Sequence, residues 1–179
     1  GTAFQNSGDD YSTSAAFDDF KNYRITIAKR LAYDRADVDD SYDPSLTENG
    51  FPDGYGPTSQ QVMIPAFLAA YTGQSPERIS LDPFPSVLSL RPNWRINYDG
   101  LSRIEFLKKY FNTITVGHTY RSSYNIGSYS RNIDYVAEAG IDGLSFVRDQ
   151  LQNNFIAENE INSVSINEQF SPLINFDMT

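Results

Sequence analysis

The longest regular pattern in the chain lies between Thr113 and Ser128. Ile114, Val116, His118, Tyr120, Tyr124 and Ile126 alternate with Thr113, Thr115, Gly117, Thr119, Arg121, Ser123, Asn125 and Gly127. Alternation of this kind puts successive side chains on opposite faces of a strand. The result is a ribbon with one apolar, aromatic face and one small, polar face. It outruns the roughly 5–6 residues of an ordinary globular strand. Two more stretches share the period. In "NWRINYD", Trp94, Ile96 and Tyr98 oppose Asn93, Arg95, Asn97 and Asp99. In "NEINSVSINEQF", Val164 and Ile166 oppose Ser163, Ser165 and Asn167, and "FSPLINFDM" resumes with Phe170, Ile174, Phe176 and Met178. Pro172 marks a bend or an edge position there.

Upstream the period is helical. Phe17, Phe20, Ile27 and Leu31 are spaced for a helix in "SAAFDDFKNYRITIAKRLAYDR", with Ser14 as N-cap. The β-branched "YRITI" within it also suits a strand, and the helix is the preferred reading. "TSQQVMIPAFLAAYTG" reads as a second helix. Thr58 and Gln61 have capping-box spacing, Gly73 supplies a stop, and Pro65 should kink it or split off its first turn. "SPERIS" adds a helical turn with Pro76 at its start, and Pro83, Pro85 and Pro92 mark an extended connector. Between the first two helices, residues 34–56 are acidic and turn-rich. "LSRIEFLKKYF" suits a short helix or a wide turn. Residues 130–154 read as a long, glycine-punctuated loop with at most one helical turn, and residues 1–13 as a polar loop or ragged end. The expected fold class is α+β, mainly antiparallel β. Residues 1–92 form a mostly helical and loop insertion, and residues 93–179 an antiparallel strand segment.

Charge and composition narrow the function classes. The formal net charge of −9 gives no basic field for phosphates, so a nucleic-acid partner is not expected. Cysteine is absent, which excludes disulfides, thiolate metal sites and cysteine nucleophiles. No apolar run reaches the ~18 residues of a membrane helix, and no signal peptide is visible at the start. Neither point bears on a membrane barrel, whose strands need only about 9–11 residues with every second side chain facing lipid. The alternation therefore leaves two readings open. One is a barrel wall, with Tyr120, Tyr124 and the out-of-phase Tyr129 as an interfacial aromatic girdle. The other is a soluble β-rich binding module of a cell surface, for glycan or protein.

Four segments in one order, "DGYGPTSQQVMIPAFLAAYTG", "PNWRINYDGLSRIEFLKKYF", "TVGHTYRSSYNIGSY" and "VSINEQFSPLINFDMT", resemble the SprA/Sov family. The similarity runs from about Phe17 to the C-terminus. These are very large outer-membrane proteins of Bacteroidota, required for type IX secretion and, in gliding species, for motility. The resemblance implies that the chain is a fragment of a translocon whose large antiparallel barrel exports folded cargo carrying a C-terminal signal domain. It implies outer-membrane lipid, a partner barrel and plug proteins as neighbours. Trp94 to Asp99, Thr113 to Tyr129 and Ser163 to Met178 would be wall strands. Residues 14–80 would form a helical insertion exposed to the periplasm or the cell surface.

Candidate chemistry is sparse. Asp37, Asp39, Ser41, Asp43 and Glu48 fall at calcium-loop spacing, but Tyr42 takes the place of the required glycine. His118, the sole histidine, lies on the apolar face and lacks partners for a triad or metal site, so its expected role is structural or interfacial. Glu138, Asp142, Asp149, Glu158 and Glu160 could supply a carboxylate pair for glycoside hydrolysis, against a simpler role as solvated charge. Arg95 and Arg121 share the polar strand face. They would either set the electrostatics of a passage or pair with a cross-strand acid. No catalytic, cofactor-binding or metal residue is assigned and no enzyme activity is expected, with no P-loop, nucleotide fingerprint or serine elbow in the sequence.

Overall fold

The computed structural model describes residues 14–84, 92–111, 114–136 and 144–178, with the backbone only for 172–178. Helix α1 spans Ala15–Ala36. The Ser14 hydroxyl accepts the Phe17 N–H at 3.4 Å, and Asp18 and Arg35 lie at the ends that the helix dipole favours. Ile27, Ala28, Ala32 and Arg35 are buried at helical spacing, so the "YRITI" stretch belongs to the helix. Ile27 points inward while Ile25 faces out, as a period near 3.6 requires.

Helix α2, Gln60–Thr72, packs against α1. Its N-cap is Ser59, with no side-chain cap bond, so the expected Thr58–Gln61 box does not form. The Thr58 hydroxyl instead donates to the Gln152 side chain. The helix runs through buried Pro65 and stops at Gly73, whose φ of 68° is left-handed. A hydrogen-bonded turn follows, with the Arg78 and Ile79 N–H groups donating to the Ser75 carbonyl.

Between the helices, the acidic stretch holds an unforeseen hairpin. Strands β1 (Thr47–Glu48) and β2 (Phe51–Pro52) pair antiparallel across Asn49 and Gly50, both at positive φ. Asn-Gly is the favoured pair for such a two-residue turn. The turn delivers Phe51 to a core of Ala28, Ala32, Tyr55, Val62 and Phe155, flanked by Leu31 and Tyr42.

The second sheet has the order β3-β4-β5. Strand β3 (Trp94–Tyr98) pairs antiparallel with β4 (Ile114–Arg131), with Trp94 opposite Tyr120 and Tyr98 opposite Val116. The two are joined through a 3-10 turn, Gly100–Arg103, and a one-turn helix α3, Glu105–Lys108. Strand β5, Asn159–Met178, lies on the other side of β4. The Asn132 N–H reaches the Glu158 carbonyl near one end and Tyr120 meets Phe170 farther along, so β5 also runs antiparallel to β4.

The chain is α+β with antiparallel sheets, and it divides into two units. Residues 1–89 and 126–163 form one; residues 90–125 and 164–179 form the other. Residues 126–163, grouped with the strands on sequence order, thus belong with the helices. The cause is the segment after Leu144, which docks on the helical layer through Phe155. Within residues 130–154, the described part contains no helix; Arg148 and Phe155 form an isolated bridge.

Candidate functional site

The pleat sorts the side chains of the second unit by parity. On the even face, the Trp94 and Tyr120 rings stack at 4.2 Å between centroids, and Phe170 lies 4.9 Å from Tyr120. The Tyr120 hydroxyl donates to the Glu168 carboxylate, a polar contact the alternation did not announce. Tyr120 is buried, whereas Trp94, Ile96, Tyr98 and Phe170 are 40–58% exposed. An aromatic sheet face thus stands open on one side of the unit.

The odd face is chemically opposite. Its described side chains include Arg95, Asn97, Thr119, Arg121, Ser123, Asn125, Ser165, Asn167, Gln169 and Ser171, with neither an aromatic ring nor a carboxylate among them. Arg95 sits opposite Thr119, so no acid faces it directly on β4. Thr119, Arg121, Gln169 and Ser171 line an open hollow of about 210 Å³. The two arginines share the polar face, as their phase predicted.

No protein-family model and no curated protein matches this chain.

The remaining described candidates lie outside the odd face. His118 lies opposite Ile96 on the even face, its ring 6.2 Å from Trp94. Asp39 accepts the Ser41 N–H and hydroxyl, and Asp43 accepts the same pair from Ser45, so each closes its own local turn. Those bonds hold both carboxyls below their usual range. Among the described residues no group of three or more His, Cys, Asp or Glu could hold a metal ion, so Asp37, Asp39, Asp43 and Glu48 do not converge. Asp149 accepts the backbone N–H groups of Leu151, Gln152 and Asn154. Glu158 pairs with Arg131 at 3.7 Å, and Glu160 is exposed at the start of β5. Glu138 and Asp142 lie outside the described residues. Asp149 and Glu158 thus have separate local partners.

The most elaborate polar arrangement is one the sequence did not single out. Arg35, 1% exposed, donates to the Tyr55 hydroxyl at 3.1 Å and to the Ser145 carbonyl. Its guanidinium lies 3.6 Å from the centroid of the Phe155 ring, and that of Arg148 lies 4.3 Å from it. Arg148 grips Asp53 with two bonds of 2.7 and 2.8 Å. That grip holds the Asp53 carboxyl below its ordinary value. Burial pushes the Tyr42 phenol up to about 12 and also raises Tyr55. Each charge has a partner or an aromatic face, and the groups fill the junction between Phe155 and the helices. The arrangement is a fastening, with cation–π contacts and ion pairing in place of a larger apolar core.

Proposed function

We propose that this chain is a segment of the wall of a large outer-membrane β-barrel, the protein-conducting translocon of type IX secretion in the SprA/Sov family. The observation that carries the reading is the separation of chemistry by face in the second unit. Every described aromatic side chain of β3, of residues 114–125 of β4 and of residues 164–171 of β5 is on the even face. The odd face holds amides, hydroxyls, glycine and arginine. Aromatics on the polar face would have favoured a binding module; their confinement to the other supports a wall. Lipid would then meet Ile96, Tyr98, Val116 and their neighbours, and the small polar face would line a water-filled passage for folded cargo.

Length supports the same reading. Residues 114–125 of β4 and 164–178 of β5 each exceed the roughly 9–11 residues that a tilted membrane strand needs. No helix among the described residues is long and apolar enough to cross a membrane. In this account the helical unit is an extramembrane insertion held together by the Arg35–Phe155–Arg148 fastening. The segment acts passively, without a catalytic group or cofactor, and shares the family's connection with gliding motility. Its neighbours are lipid, the partner barrel and plug proteins, and cargo with a C-terminal signal domain.

The test is a cysteine scan from Thr113 to Tyr120 in the full-length protein in native membranes, free of background thiols from this segment. Thr115 and Thr119 should react with a water-soluble maleimide, and Ile114, Val116 and His118 only with a probe dissolved in lipid. Even positions that react with neither probe face a protein core, and the wall reading then gives way to the soluble β-rich module.

A further inference from the structure

The polar face of the second unit holds two arginines with no acid beside them. Arg95 lies opposite Thr119 on β4, so Arg121, two residues along β4 on the same face, is its diagonal neighbour. Such positions are roughly 7–8 Å apart, within reach of long side chains, and like charges there repel. On the β3 side of Arg121, the Asn93 amide oxygen is already taken by the Ser122 N–H at 2.6 Å. On the β5 side, Tyr120 abuts Phe170 on the other face, which in an antiparallel pair sets Arg121 beside Gln169 and Thr119 beside Ser171. Among the described residues no carboxylate pairs with either guanidinium.

Other arginines of the chain are held. Arg30 donates to the Pro76 and Ile79 carbonyls, Arg131 lies 3.7 Å from Glu158, and Arg148 grips Asp53 with two bonds. The last shows what suits a planar guanidinium: a carboxylate takes two parallel bonds from its fork. Arg121 is set up for the same ligand. The hollow of about 210 Å³ that it lines is framed by the Thr119 and Ser171 hydroxyls and the Gln169 amide, each able to donate to an anion. Beside Arg95, Gly117 carries no side chain, and a Cβ there would meet only Asn97 Oδ1, at 3.5 Å. Space is therefore open at both cations. A phosphate cradle draws on converging backbone N–H groups. Here β4 is the central strand, its backbone engaged on both sides, which leaves the side-chain forks to do the binding.

We propose that Arg95 and Arg121 form a carboxylate site, which takes aspartate and glutamate side chains of an acidic protein segment crossing the polar face. The inference rests on the wall reading for the source of that segment, cargo moving along the passage. A carboxylate between the two guanidiniums cancels their repulsion. The site is open to water, so its hold is weak and falls with salt, as suits a surface that a passing chain must leave again.

The test uses the full-length protein in membranes, with Ser123→Cys placing the only thiol of this segment on the same face, two residues from Arg121. Labelling by a water-soluble maleimide is timed with and without a hexaglutamate peptide. Hexaglutamate should slow it. Arg121→Gln or Arg95→Gln should raise the concentration for half-protection roughly tenfold, the effect of losing a charge-assisted hydrogen bond. Arg121→Lys, which keeps the charge without the fork, should recover only part of that loss. Arg103→Gln, which removes an exposed charge in the 3-10 turn, should change nothing. An equal loss in Arg103→Gln, or equal protection by hexaglutamine, overturns the site. Equal protection by inorganic phosphate overturns the carboxylate as its ligand. Labelling that is slow without peptide and quickens on dilution puts a second copy of the chain on the face and overturns the acidic segment. Unslowed labelling of Ser123→Cys, with Ile114 and Val116 labelled from lipid, removes this inference alone. Protection by hexaglutamate without lipid labelling removes the wall reading and the passing cargo, and leaves the carboxylate site on a soluble module.

Discussion

Gly54 and Gly50 offer a controlled pair of substitutions in the helical unit. Both have left-handed backbones, with φ of 82° and 83°. An alanine in that region costs about 1–2 kcal/mol from the clash of its Cβ with the following carbonyl. Their surroundings differ. A Cβ on Gly50 would meet nothing within 4 Å, whereas one on Gly54 would run into the Phe155 ring. Phe155 has little room to retreat, because Tyr55 and Tyr42 lie 5.3 and 5.9 Å from it and both guanidiniums lie over it. Overpacking a filled site adds about 1–3 kcal/mol. Gly50→Ala should therefore lower stability by about 1–2 kcal/mol, and Gly54→Ala by roughly 2 kcal/mol more. With a urea dependence of about 2 kcal/mol per molar, that difference moves the midpoint by about 1 M. Circular dichroism at helical wavelengths, which follows α1 and α2, is the assay. In a Phe155→Ala background the two glycine variants should become equal. Equal costs in the unaltered chain would refute the reasoning, since they would mean that Phe155 does not occupy the space beside Gly54.

Other expectations concern charge and packing. Asp53 has a carboxyl pKa below its ordinary 3.8 because Arg148 bonds it, so its contribution is present above that value and lost as pH falls through the lower folded value. Acid unfolding of Asp53→Asn should lack that component. Tyr42 is raised from 10.0 to about 12, so the stability tied to its neutral phenol is intact below pH 10 and lost as pH rises through about 12. Tyr42→Phe should flatten the alkaline transition, and an ultraviolet titration of phenolate should lose one of its late components in that variant. Trp94, the single tryptophan, reports on the sheet. Tyr120→Ala should shift its emission to longer wavelength by removing the stacked ring, while Tyr120→Phe should leave it nearly unchanged.

The strands were legible because each carries its period in contiguous residues. Trp94 to Tyr98, Ile114 to Ile126 and Val164 to Ile166 name their faces without outside help. Both helices were legible for the same reason, as were the Ser14 cap and the Gly73 stop. The Asn49–Gly50 turn carried a recognisable signal, but acidic neighbours drew attention to charge instead. The fastening left no such trace. Phe155 sits in "QLQNNFIAEN" among polar residues, and its partners Arg35, Gly54 and Tyr55 are distant in sequence, so nothing local marks it as core. Local pattern likewise favoured Thr58 and Gln61 as caps. In the fold Thr58 turns to Gln152, and Gln60 leaves the helix end for β5. Glu168 looked like one more polar residue until the pleat set it beside Tyr120.

The contact between Gly56 and Asn154 also dictates an order of events during synthesis. The Gly56 N–H donates to the Asn154 side chain at 2.7 Å across a separation of 98 residues. Closing a flexible loop of that size costs about 4 kcal/mol of chain entropy. The helices emerge from the ribosome early, yet Phe155, the residue that completes their core, arrives only after the whole of β4 has been made. A nascent chain must therefore carry an unfinished helical layer and an aromatic ribbon at the same time. Its period of greatest exposure to chaperones and proteases should end abruptly, within a few residues of Asn154 and Phe155 leaving the exit tunnel.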